Sequence, residues 1–97
     1  MTKMGAIVEV QAFLSGTVQG VSCRISVKRV ADSLKVYGFV RNLEDGRVEV
    51  IAHAEEKILK EFLAQVKNLS FPIKIEKMET AFKPFSKRSE GRFIILD

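Results

Sequence analysis

The stretch IVEVQAFLSGTVQGVSCR, residues 7–24, changes its period partway along. Over residues 7–14 apolar and polar side chains alternate. Val8, Val10, Ala12 and Leu14 share one face while Glu9 and Gln11 lie on the other, the pattern of a half-buried strand. From about Ser22 the spacing becomes helical: Val27, Val30, Ala31 and Leu34 fall at i, i+3, i+4 and i+7, and Lys28, Arg29 and Asp32 face water. Between strand and helix lie Gly16 and Gly20, which can take backbone conformations closed to other residues.

Further along, residues 36–40 are rich in aromatic and β-branched residues and predict a second strand. Asn42-Leu-Glu-Asp-Gly46 predicts a turn, because Asp-Gly supplies the positive φ of a tight reversal, and residues 48–52 complete a hairpin. Ile58, Leu59, Phe62, Leu63 and Val66 form an apolar stripe that predicts a second helix from Glu55 to about Asn68. Glu55 and Glu56 suit the positive end of its dipole and Lys67 the negative end. Phe71-Pro72 breaks the pattern, Ile73 and Ile75 open a fourth strand, residues 83–92 read as a polar loop, and residues 93–96 as a short closing strand. This order is the split βαβ arrangement of a ferredoxin-like α+β sandwich. Two helices would cover one face of a mainly antiparallel five-stranded sheet.

At 97 residues a second core would leave each half too small to fold unaided, so one domain is expected over residues 1–97, with residues 1–5 a flexible extension. An apolar share of 46% and charges of mixed sign argue against disorder. The formal charge of +4 favours anionic partners but does not separate a small phosphate from a nucleic acid. One cysteine, Cys23, and one histidine, His53, allow no internal disulfide and no closed Cys/His metal cage. Glu9 and Gln11 interrupt the N-terminal apolar run, so neither a signal peptide nor a membrane span is read, and a cytoplasmic location is expected.

Two readings of the glycine-rich connection stay open on these grounds. It is turn chemistry, or it is an anion cradle in which backbone N–H groups at a helix start and the planar fork of Arg24 take up phosphate oxygens. It is neither a Walker loop, since no Gly-Lys-Ser/Thr follows, nor a dinucleotide fingerprint, since the third glycine is missing. Asn42 likewise is an Asx-turn residue or a group that orients a water.

At these residues the chain resembles the acylphosphatase family. Its loop has the form Gly-x-Val-Gln-Gly-Val-x-Phe/Met-Arg, matched by Gly16, Val18, Gln19, Gly20, Val21 and Arg24. A Gly-aromatic-Val-x-Asn segment followed by Asp-Gly-x-Val-Glu is matched by residues 38–42 and 45–49. The resemblance covers nearly the whole chain and implies the same ferredoxin-like fold. It implies metal-independent hydrolysis of acyl phosphates to a carboxylate and inorganic phosphate, with no cofactor. Gln19, Gly20, Val21, Ser22, Cys23 and Arg24 would wrap the phosphoryl group, or inorganic phosphate in its stead, and Arg24 and Asn42 would be catalytic, Asn42 holding the attacking water. The leaving carboxylate, with a conjugate acid of pKa ~4, departs without a general acid.

Two positions depart from the family pattern: Cys23 stands where Phe or Met is usual, and Ser22 where glycine or another residue is often found. A small Cys23 predicts a loop less tightly anchored on the core, and a buried structural cysteine is read beside a catalytic thiol. His53 is read as structural, and Lys83, Lys87, Arg88 and Arg92 as a solvated basic loop or an electrostatic guide for anions. The expected partner is a small acyl phosphate bound by a monomer, with no membrane partner. Nucleic acid is not expected, because the central segment 47–53 lacks the stacking aromatics of an RNA-recognition sheet. The alternative function is a noncatalytic phosphate-binding or interaction module of the same fold.

Overall fold

A computed structural model describes residues 6–85 and 91–96; the expected extension at residues 1–5 lies outside them. The elements run β1 (Ile7–Thr17), α1 (Cys23–Leu34), β2 (Tyr37–Asn42), β3 (Val48–Glu55), α2 (Glu56–Lys67), β4 (Lys74–Pro84) and β5 (Phe93–Ile95). The sheet order is β4-β1-β3-β2-β5, antiparallel throughout except for the parallel pair β2–β5. β3 lies between β1 and β2, and β1 between β3 and β4, so each β-α-β unit is split by a strand of the other. The expected ferredoxin-like α+β sandwich is the fold observed.

The core forms where the two apolar periodicities meet. Val10, Ala12 and Leu14 of β1 and Val48, Val50 and Ala52 of β3 are fully buried on the helix side of the sheet. Val27 and Ala31 of α1 and Leu59, Phe62 and Val66 of α2 close over them. Phe62 meets Phe93 of β5 at a ring-centroid distance of 6.1 Å, which ties the second helix to the last strand. Side chains of this size stabilise the fold by about 2 kcal/mol each when fully buried. α2 carries Glu56 in its first turn and Lys67 in its last, as the dipole favours.

The strands differ from expectation mainly in length. β1 continues through Thr17, so Gly16 belongs to the strand and not to the loop. The register against β4 shifts between Ser15 and Gly16, and a Cβ on Gly16 would stand 2.3 Å from the Lys74 carbonyl oxygen, so the close approach requires glycine. β4 extends to Pro84, so residues 83 and 84 of the expected polar loop are strand, paired with Glu9 and Val8. Lys87 and Arg88 of the basic cluster lie outside the described residues. β2 starts and ends later than expected, which puts Asn42 on the strand's last position and not within the turn.

Candidate active site

The connection from β1 to α1 ends in two left-handed residues, Gly20 (φ 78°) and Ser22 (φ 63°, ψ 28°). Ser22 caps α1 without a side-chain bond, while its carbonyl accepts the Ser26 N–H at 3.1 Å. The first-turn amides of α1 therefore keep the unpaired donors of a helix start. No acidic side chain occupies that turn, so nothing from the helix itself neutralises the positive end of its dipole. A turn of this kind directs successive N–H groups into one concavity.

Arg24 is the second residue of α1 and is half-buried. Its Nη1 donates to the Leu96 carbonyl at 2.7 Å, a bond between groups 72 positions apart that fixes the guanidinium beside the loop. Asn42 arrives from the other side, at the end of β2. Its Oδ1 is buried and, among the described residues, accepts no hydrogen bond. A buried polar atom left unpaired costs about 1–3 kcal/mol, and with almost no surface open to water this oxygen gains a partner only if the amide or its neighbours shift to admit a donor.

These groups share one cleft of about 440 Å³, lined by Arg24 and Asn42 with Gly20, Ser22, Cys23 and Val18, and closed on one side by Ile95. Of the residues expected from the sequence, Gly20, Ser22, Cys23, Arg24 and Asn42 come together here. Val21 does not line the cleft; it faces an adjoining groove and packs on the core. Gln19 does not line it either: its Nε2 donates to the carbonyls of Leu43 at 2.8 Å and Arg47 at 2.9 Å. That side chain clamps the loop to the β2–β3 turn, which leaves its backbone N–H as the group it could offer an anion.

Cys23 is 2% exposed, and burial pushes its thiol from an ordinary pKa of 9.0 up to about 11. A thiol so raised is protonated at neutral pH and is a poor nucleophile, which favours the structural reading over a catalytic one. Because the folded pKa lies above the unfolded one, the thiol's contribution to stability is full below pH 9.0 and is lost as pH rises through about 11. Cys23→Ala is expected to abolish this share of the alkaline loss, read as urea midpoints at pH about 8 and about 11, and to retain measurable turnover. Equal alkaline losses in both proteins, or no turnover in a folded variant, would contradict the assignment.

His53 lies on the opposite, open face of the sheet. It is half-buried, with Nε2 2.9 Å from Glu9 Oε1 and its ring stacked on Phe85 at 3.8 Å. Further along the same face of β3, Glu49, only 6% exposed, accepts from Gln11 Nε2 and Arg41 Nε, both at 2.7 Å. These pairs hold the face together across strands and do not reach the cleft. Among the described residues no three His, Cys, Asp or Glu side chains gather where a metal ion could be held. The sequence reading missed Ile95 and the Leu96 carbonyl, because no local signal links them to Arg24.

The family model of acylphosphatases matches residues 10–95. The chain is similar to an acylphosphatase of Archaeoglobus fulgidus, 44% identical over 62 residues that cover 64% of this chain and 70% of the relative. It is 50% identical over 52 residues to an acylphosphatase of Legionella pneumophila, covering 54% of this chain and 57% of that one. The crystal structure of acylphosphatase from Bacillus subtilis superposes with a TM-score of 0.82 at 36% identity, covering 93% of this chain and 99% of that one.

Proposed function

The chain belongs to the acylphosphatase family, and on that basis we propose that it hydrolyses acyl phosphates at the cleft between Arg24 and Asn42. The single observation that carries this reading is the convergence of a guanidinium, an acid-free helix start and an unpaired buried amide oxygen on one cleft. The phosphoryl oxygens take hydrogen bonds from the loop and first-turn amides and from the Arg24 guanidinium. A small turn of the Asn42 amide opens Oδ1 to a water, which donates to it and is held with its own oxygen toward phosphorus. The new P–O bond forms as the bond from phosphorus to the acyl oxygen breaks, and the carboxylate leaves with the bonding electron pair. The water proton passes to a phosphoryl oxygen or to solvent. Phosphoryl transfer asks little covalent work of the protein, so positioning and charge stabilisation supply the rate.

Among the described residues no helix is long and apolar enough to cross a membrane. A radius of gyration of 13.0 Å, near that of a compact 100-residue unit, supports one domain. A single cysteine needs no oxidising surroundings and supports a cytoplasmic setting.

Benzoyl phosphate hydrolysis by the purified protein tests the reading. Asn42→Ala is expected to lower kcat by about 10²-fold, while inorganic phosphate inhibits as in the wild type, because only the water loses its acceptor. Arginine stays cationic and an amide does not ionise, so apart from ionisation of the substrate itself kcat is expected to be flat between about pH 5 and 8. EDTA is expected to leave the rate unchanged. A folded Asn42→Ala with wild-type kcat, or a sharp protein-borne ionisation near neutrality, would overturn the mechanism. Phosphate binding without turnover would instead identify a noncatalytic anion-binding module.

A further inference from the structure

A second groove, of about 610 Å³, adjoins the cleft and shares Gly20 and Ser22 with it, so the two concavities meet at the rim of the loop. Its walls come from α1 and from the segment between α2 and β4, and its apolar lining includes Val21, Val30, Leu69, Phe71, Pro72 and Ile73. Phe71 is 94% exposed, the most exposed of the large hydrophobic residues among those described. An aromatic ring left in water beside a groove of small-molecule size is a surface that gains by being covered. A group attached to a phosphate held in the cleft can run over the shared rim into this groove.

We propose that this groove is the acyl subsite, and that the substrate is an acyl phosphate with a bulky apolar, preferably aromatic, acyl group that packs on Phe71. The proposal rests on the phosphoryl assignment of the neighbouring cleft. Its occupant is the acyl portion of the substrate, because the groove is continuous with that cleft and because charge stabilisation at the phosphoryl group leaves selectivity to a surface elsewhere. The carboxylate product carries the same apolar group, so product release involves the same surface.

The test compares wild type with Phe71→Ala and Leu69→Ala on two substrates, benzoyl phosphate and acetyl phosphate. In parallel, calorimetry measures binding of their nonhydrolysable analogues, benzoylphosphonate and acetylphosphonate. The wild type is expected to favour the benzoyl over the acetyl compound about tenfold, both in kcat/KM and in Kd, and each variant to bring that ratio close to one with acetyl values unchanged. Phe71 is exposed, so its truncation leaves the core intact, and the acetyl values report any general damage. Turnover with the same ratio in all three proteins would overturn the subsite alone. Selective phosphonate binding without turnover would overturn the hydrolase reading and keep the subsite. Absence of turnover together with failure of both phosphonates to bind would overturn both. A dimer of the wild type that Phe71→Ala dissociates would assign the face to a second copy and overturn the subsite.

Discussion

Arg24→Ala lowers kcat/KM for benzoyl phosphate by about 10³-fold or more, the scale on which a lost arginine counts when charge is spread over phosphoryl oxygens. The backbone amides of the loop remain in such a variant, so residual phosphate binding is expected, weakened along with catalysis. Arg24→Lys recovers only part of the rate: an ammonium supplies the charge, but it lacks the planar fork that holds two oxygens at once. The bond from Arg24 Nη1 to the Leu96 carbonyl is lost in Arg24→Ala. That loss costs about 1 kcal/mol, so the kinetic comparison is made well below the unfolding midpoint of the variant. A folded Arg24→Ala that turns over benzoyl phosphate within tenfold of wild type would remove Arg24 from the mechanism.

The largest effect on stability is expected at Gly38, in β2. Its φ is 141°, and a Cβ there would lie 1.9 Å from the Ile51 carbonyl oxygen, 2.9 Å from the Ile51 carbonyl carbon and 3.0 Å from the Ala52 Cα. All three atoms are backbone of β3, which is paired on both sides, with β1 and β2. Relief would need β2 to move off its neighbour, yet Gly38 also aligns with Phe93 of β5 and donates its N–H to Arg92 at 3.1 Å. Gly38→Ala is therefore expected to destabilise the fold by about 3 kcal/mol or more, through backbone strain and a lost close approach together. In a domain of this size that lowers Tm by roughly 12–24 °C. Urea unfolding gives the check: a lower midpoint at unchanged slope. A shift below about 0.5 kcal/mol would mean that β2 and β3 are less tightly paired than described.

The identity and order of the elements were legible in the chain because they depend on local periodicity. The alternation from Val8 to Leu14 gives the face of β1 that is buried, and the stripe Val27, Val30, Ala31, Leu34 lies along the core side of α1. The Asp45-Gly46 reversal joins β2 to β3, and Asp45 accepts the Arg47 backbone N–H at 3.1 Å. That bond, above all, holds the Asp45 carboxyl below the usual carboxylate range. Arg24 and Asn42 were nominated by motif, and chemistry alone left each with a structural reading beside the functional one.

Lengths, partners and neighbourhoods were not legible, for a common reason. β4 has no clean alternation because it is an edge strand with most side chains exposed, and its extent follows from pairing with β1 and not from its own composition. The bond between Arg24 and Leu96 depends on β5 running parallel to β2, the same placement that brings Phe93 against Phe62. Gln19 looks like one more residue of a loop motif until folding brings the β2–β3 turn within reach of its amide. Periodicity along a chain encodes which face of each element shuns water. Which distant groups then meet depends on register and packing across the whole sheet, and both the unpaired oxygen of Asn42 and the groove beside Phe71 are products of that packing.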